Sequence, residues 1–120
     1  MGWIQVDSPG FYARAVRSIR QRGGAADLGG VYAFLAGNKV YVGETRRLAG
    51  RTVAHRRNLA SRAGYLVRSP GCFYRVLEFI TPFNRNLSRL REREYSRFFE
   101  CQGYKVLNPF SGKGLWIPNK

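Results

Sequence analysis

Residues 31 to 43 constrain the fold more than any other stretch. Val31 to Leu35 and Val40 to Gly43 are two short runs rich in aromatic and β-branched residues, and Ala36-Gly37-Asn38-Lys39 between them supplies the turn. That pattern folds back as a tight β-hairpin. A third strand is expected at Cys72 to Ile80, which is apolar at most positions and has Pro82 just past its end; Tyr65 to Val67 is a candidate short edge strand.

Helices are expected on both sides of the hairpin. Asp7 and Ser8 offer caps ahead of Pro9, and Phe11 to Arg22 reads as a helix stopped by Gly23 and Gly24. Phe11, Ala15 and Ile19 recur every four residues along it, with the arginines off that stripe. Thr45 is placed to cap a middle helix running to about Arg62 and closed by Gly64. Asn84 or Asn86 is placed to cap a last one through about Gln102, ended by Gly103. Residues 1 to 6 read as a short strand or arm. From Tyr104 onward the chain reads as irregular but carries Leu107, Phe110, Leu115, Trp116 and Ile117, enough apolar surface to pack on the body. The fold class is therefore α+β, a small antiparallel sheet of about three strands with flanking helices. The organisation expected is an N-terminal extension over 1–29 with its helix at about 9–22, a core over 30–109 and a C-terminal tail over 110–120.

The chain carries 21 Lys and Arg against 7 Asp and Glu, so its formal net charge is 21 − 7 = +14. Most of the cations are arginines, clustered at Arg14, Arg17, Arg20 and Arg22, at Arg46 and Arg47, at Arg56 and Arg57, and at Arg89, Arg91, Arg93 and Arg97. The guanidinium fork grips phosphate through two hydrogen bonds, so nucleic acid is the expected partner. With 44% hydrophobic and 14% aromatic residues the composition is that of a folded globule, which excludes a disordered basic tail. No run approaches the length of a membrane helix and no secretory signal opens the chain, so a soluble protein of the cytoplasm is expected. Cys72 and Cys101 belong to no CxxC pair, and with one histidine they cannot make a four-ligand zinc site; both are expected to be reduced and buried.

Two helices place polar residues where apolar ones belong. In the last, Leu87, Leu90, Phe98 and Cys101 are read as the inward stripe, and Glu94, seven after Leu87 and four before Phe98, falls within it. A buried carboxylate needs a partner, either an arginine in a structural ion pair or a metal ion. In the middle helix Leu48, Thr52, His55 and Leu59 share a face, with Arg51 at its edge. A core histidine satisfied by a backbone carbonyl and a catalytic one both fit that pattern.

Together these residues resemble the GIY-YIG nuclease domain. The resemblance rests on Gly30-Val31-Tyr32 in the first strand and Tyr41-Val42-Gly43 in the second, followed by Thr45, Leu48, Arg51 and His55 at fitting offsets. Glu94 within LREREYSRFF and Asn108 within KVLNP extend it, so that it covers about residues 29 to 109. Val replaces Ile in both tripeptides, the hairpin is short for the family, and the first helix has no counterpart in a typical member.

The resemblance implies a metal-dependent endonuclease that hydrolyses phosphodiester bonds in DNA. Glu94 would hold one Mg²⁺ or Mn²⁺ ion, Arg51 would bind the scissile phosphate, and Tyr32, lowered in pKa, would be the general base. Tyr41 and His55 would position water or relay the proton, and Asn108 would orient groups in the site. Arg46, Arg47, Arg56 and Arg57 are the expected backbone-binding arginines. No reader motif is present, so cleavage of low sequence specificity, or directed to single-stranded or branched DNA, is expected. The competing expectation is a noncatalytic basic nucleic-acid-binding module in which Arg51 and Glu94 form a buried ion pair.

Overall fold

The hairpin forms the middle of a five-stranded mixed sheet in the computed structural model, which describes residues 2–23, 28–57 and 62–107. Strands β2 (Gly30–Ala36) and β3 (Lys39–Thr45) pair antiparallel in unbroken register from Gly30↔Thr45 to Ala36↔Lys39. Only Gly37 and Asn38 lie between, and Gly37 has φ +60° while Asn38 stays at negative φ. That is the pattern of a two-residue type II′ turn, whose first central position calls for glycine. Strand β4 (Phe73–Phe79) lies antiparallel on the far side of β2, with a register shift between Val31 and Tyr32.

Two-residue strands complete the sheet. β1 (Ile4–Gln5) pairs with β4, and β5 (Lys105–Val106) runs parallel to β3, giving the order β1-β4-β2-β3-β5. The α+β class holds, but the sheet has five strands and is mixed, where about three antiparallel strands were expected. β5 falls in the stretch read as irregular. The Lys105 N–H donates to the Asn38 carbonyl at 2.7 Å and the Leu107 N–H to the Val40 carbonyl at 2.9 Å, so β3's open edge supplies the order. A strand this short carries no periodicity to read.

Helix α1 (Phe11–Gly23) buries Phe11, Ala15 and Ile19, as its four-residue spacing predicts. α2 (Leu48–Arg57) is followed by α3 (Arg62–Val67), so Tyr65 to Val67 are helical and not an edge strand. Ala63 and Leu66, three apart and fully buried, share the inward side of that turn. α4 (Arg85–Cys101) starts at the cap Asn84, whose Oδ1 accepts a hydrogen bond from the Leu87 N–H at 3.1 Å.

The sheet separates two cores. α1, α2 and α3 cover the face that presents Tyr32, Phe34, Tyr74 and Val76; α4 covers the other, against Val31, Ala33, Val40, Val42 and Ile80. α4 meets the sheet with Ser88, Ser96 and Phe99, while Leu87, Leu90, Phe98 and Cys101 are exposed. The helix is thus turned by about one residue, roughly 100°, from the face its leucines suggest. Two serines bring the helix close to β3, and the Ser88 hydroxyl is satisfied by the Glu44 carboxylate at 2.6 Å. Of the two cysteines only Cys72 is buried. The N-terminal segment is built into the body: β1 extends the sheet and the Val6 N–H donates to the Cys72 carbonyl at 2.8 Å. No helix among the described residues is long and apolar enough to cross a membrane.

Candidate active site

The sheet brings three of the expected site residues together. Tyr32 on β2 and Tyr41 on β3 point to the face covered by α2, with ring centroids 6.3 Å apart, and the Arg51 side chain on α2 hydrogen-bonds the Tyr32 hydroxyl. Both motif glycines are demanded by close approach. A Cβ on Gly43 would collide with the Tyr32 hydroxyl, and one on Gly30 with the Glu78 carbonyl oxygen of the neighbouring strand. Gly43 is therefore what lets the Tyr32 ring lie across the paired strand, and Gly30 what lets β4 approach β2.

A third tyrosine, Tyr74 on β4, closes the group with its ring 6.3 Å from that of Tyr32. Its hydroxyl is 2.9 Å from Thr52 Oγ1, which in turn lies 2.8 Å from the Leu48 carbonyl. Thr52 has one proton, so it donates to the carbonyl and accepts from Tyr74. Sequence reasoning placed Thr52 on the inward face but missed Tyr74, whose only signal is its alternation with Val76 along the strand.

Charge in this cluster is tuned by burial. Tyr32 is 1% exposed, and burial, reinforced by Tyr41 and opposed by Arg51, pushes its pKa well above the ordinary tyrosine value. The expected lowering is thus reversed in the protein alone, where Tyr32 is a phenol at neutral pH. For Arg51, burial works against the charge, but the bond to Tyr32 and the proximity of Tyr41 and Glu44 outweigh it and raise the pKa.

Glu44, at the end of β3, links this cluster to α4. Its carboxylate receives Arg85 Nη1 and Ser88 Oγ, each at 2.6 Å, with Arg89 Nε at 4.0 Å. Beside it Glu92 is half-buried, and burial together with repulsion from Glu44 raises its carboxyl from 4.5 to about 7, against the pull of the Glu44 N–H, Arg89 and Arg85. Neither carboxylate was singled out from sequence, where Glu92 reads as pointing away with Arg89 and Arg93. The turn of α4 described above is what brings it in. Around the rim the exposed guanidinium groups of Arg46 and Arg85 stack on Phe83, 5.6 and 4.9 Å from its ring centre, and Arg47 is exposed nearby in sequence.

Glu94 is elsewhere. Its side chain is 53% exposed and pairs with Arg91 Nη1 at 3.2 Å, and Arg91 in turn faces Glu78 at 3.4 Å. It is not buried, and the arginine it pairs with is not Arg51, so the expected buried Arg51–Glu94 pair does not form. His55, Arg56 and Arg57 belong to α2, but their side chains, like the whole of Asn108 and the tail over 110–120, lie outside the described residues. No family model, curated protein or solved structure matches the chain.

Proposed function

We propose that the chain is a metal-dependent endonuclease that hydrolyses phosphodiester bonds in DNA with low sequence specificity. The observation that carries this reading is the Arg51 guanidinium hydrogen-bonded to the Tyr32 hydroxyl beside Tyr41, on a body of net charge +14. A bidentate cation next to two phenols suits a phosphodiester: Arg51 neutralises charge that grows on the non-bridging oxygens, and the buried Tyr32 accepts a hydrogen bond from Arg51 and fixes where its guanidinium sits. Arg46, Arg47 and Arg85 hold the flanking backbone.

The donor set fits a hard divalent cation. Glu92 and Glu44 offer adjacent carboxylates, of which Glu44 acts electrostatically on Arg51, and no third His, Cys, Asp or Glu joins them among the described residues. That matches the way Mg²⁺ is usually held, by one or two carboxylates with water and phosphate completing its shell. Glu94, the ligand implied by the GIY-YIG resemblance, would have to leave Arg91 and cross to the inner side of α4; Glu92 with Glu44 is the better-supported pair. When bound, the ion would stabilise the leaving 3′ oxygen and lower the pKa of neighbouring acids. Tyr41, less buried than Tyr32, and His55 are the residues proposed to order the attacking water.

Incubating the protein with plasmid and single-stranded DNA, in Mg²⁺ or Mn²⁺ and in EDTA, tests the reading. Metal-dependent nicking that Arg51→Ala abolishes is expected. Intact substrates, or equal cutting by Arg51→Ala, would overturn it in favour of a noncatalytic nucleic-acid-binding module, a reading that the buried, high-pKa Tyr32 favours.

A further inference from the structure

The face of the sheet away from Tyr32 carries a second feature. Between α4 and strands β2 and β4 runs an open groove of about 710 Å³, lined among others by Trp3, Phe73, Arg75, Tyr95, Phe98 and Tyr104. That volume lies within the range of ligand sites, roughly 300 to 1,000 Å³. Three of its rings stand in solvent, Trp3 at 37%, Phe73 at 36% and Phe98 at 55% exposure. Phe98 and Tyr104 are each held edge-on to the buried Phe99, at 5.5 and 5.7 Å, so their orientation is fixed by packing.

Arg75 is the informative residue. It rises from β4 into the groove with its guanidinium 6.0 Å from the Trp3 ring centre, and its Nε is sealed from solvent with no hydrogen-bond partner. None of the described ion pairs includes it. A half-buried cation without an anion is costly, and flat rings without cover forgo burial. An apolar peptide would cover the rings but leave Arg75 unpaired. A DNA duplex would pair it but keep its bases stacked inside. Only a strand with unpaired bases brings planar faces and phosphates together in one repeat, and the charge of +14 favours it further.

We propose that this groove binds unpaired nucleotides of a single strand, the bases stacking on Phe98 and Trp3 and a phosphate meeting Arg75. The inference rests on the nucleic-acid part of the function proposed above but not on cleavage. It gives the protein a second contact, on the opposite face of the sheet from Tyr32 and Arg51, that selects substrates with a single-stranded stretch.

Fluorescence anisotropy with a fluorescein-labelled oligo(dT) and a labelled duplex, both in EDTA, tests it without chemistry. Phe98→Ala and Arg75→Ala should each weaken oligo(dT) binding at least about fivefold, the lower end of what one stacked base contributes. Duplex affinity should be nearly unchanged, Phe98→Tyr should restore binding, and Leu90→Ala, on exposed α4 outside the groove, should bind as wild type. Phe98 is exposed, so its loss should leave the melting temperature intact even if Arg75→Ala fails to fold. The proposal fails if wild type does not bind oligo(dT), or if folded Phe98→Ala binds it normally. It fails equally if an apolar dye occupies the groove and oligo(dT) does not displace it, which would mark an apolar partner. A wild type that binds oligo(dT) but cuts nothing, with binding lost in Phe98→Ala, would sink the nuclease reading alone; normal binding by Phe98→Ala in an active nuclease would sink this one alone.

Discussion

The Tyr32 ring lies across Gly43, its direct cross-strand partner, so closely that a methyl group at position 43 would overlap the phenolic oxygen. The same hydroxyl is the one that Arg51 bonds. A backbone position on β3 thereby sets where the guanidinium on α2 sits.

Gly43→Ala should therefore damage both fold and site. Forcing the ring aside in a close-packed core costs about 1–3 kcal/mol, read as a lower melting temperature. Activity measured well below that temperature should fall by more than the small unfolded fraction explains, because Arg51 loses its registration. A variant with wild-type melting and wild-type cutting would contradict the steric account.

Arg51→Lys should be nearly as inactive as Arg51→Ala. A lysine keeps the charge but not the fork, and loss of one preorganised donor at a reacting phosphate costs on the order of 10²–10³ in rate. Single-turnover plasmid nicking reads this, with oligonucleotide affinity as the control that should change little.

Glu92 predicts a pH dependence with a definite sign. Folding raises its carboxyl from 4.5 to about 7, so the folded protein holds that proton more tightly than the unfolded chain. The resulting stabilisation is complete below pH 4.5 and is lost as pH rises through 7. Glu92→Gln, neutral throughout, should be more stable than wild type at pH 8 by about 1 kcal/mol after allowing for solvent screening, and show no such advantage at pH 4.5. Melting both proteins at the two pH values checks it. A difference independent of pH would remove Glu92 from this account.

Millimolar Mg²⁺ should raise the wild-type melting temperature at pH 8 and leave that of Glu92→Gln unchanged, because a ligand bound only by the folded state stabilises it. Glu94→Ala should keep the Mg²⁺ response and lose less than about 1 kcal/mol, the usual range for an exposed pair. Loss of the response in Glu94→Ala with its retention in Glu92→Gln would return the metal to Glu94.

Much of this was legible in the residues. The Gly37-Asn38 turn, the α1 stripe of Phe11, Ala15 and Ile19, and the Asn84 cap are local signals that the fold obeys, while the meeting of Tyr32, Tyr41 and Arg51 was implied by the GIY-YIG resemblance and not by spacing. What was illegible depended on partners distant in sequence. Ser88 reads as a surface residue until Glu44 arrives from 44 positions away to accept its hydroxyl's hydrogen bond. Leu87 and Leu90 read as core, yet small serines let α4 approach β3 more closely than leucines could, and closeness decided the helix's orientation. That one rotation sets Glu92 inward beside Glu44 and leaves Glu94 outward with Arg91.

The two outermost strands, at two residues each, have a consequence for behaviour in a crowd. On a polyanion of the kind proposed as its partner, copies of a chain this basic would come to lie side by side. Long bare strand edges would then invite one molecule to zip onto the next and grow into aggregates. By pairing Ile4–Gln5 with Phe73–Tyr74 and Lys105–Val106 with Lys39–Val40, the fold takes the first two residues of β4 and of β3 out of reach of such zipping.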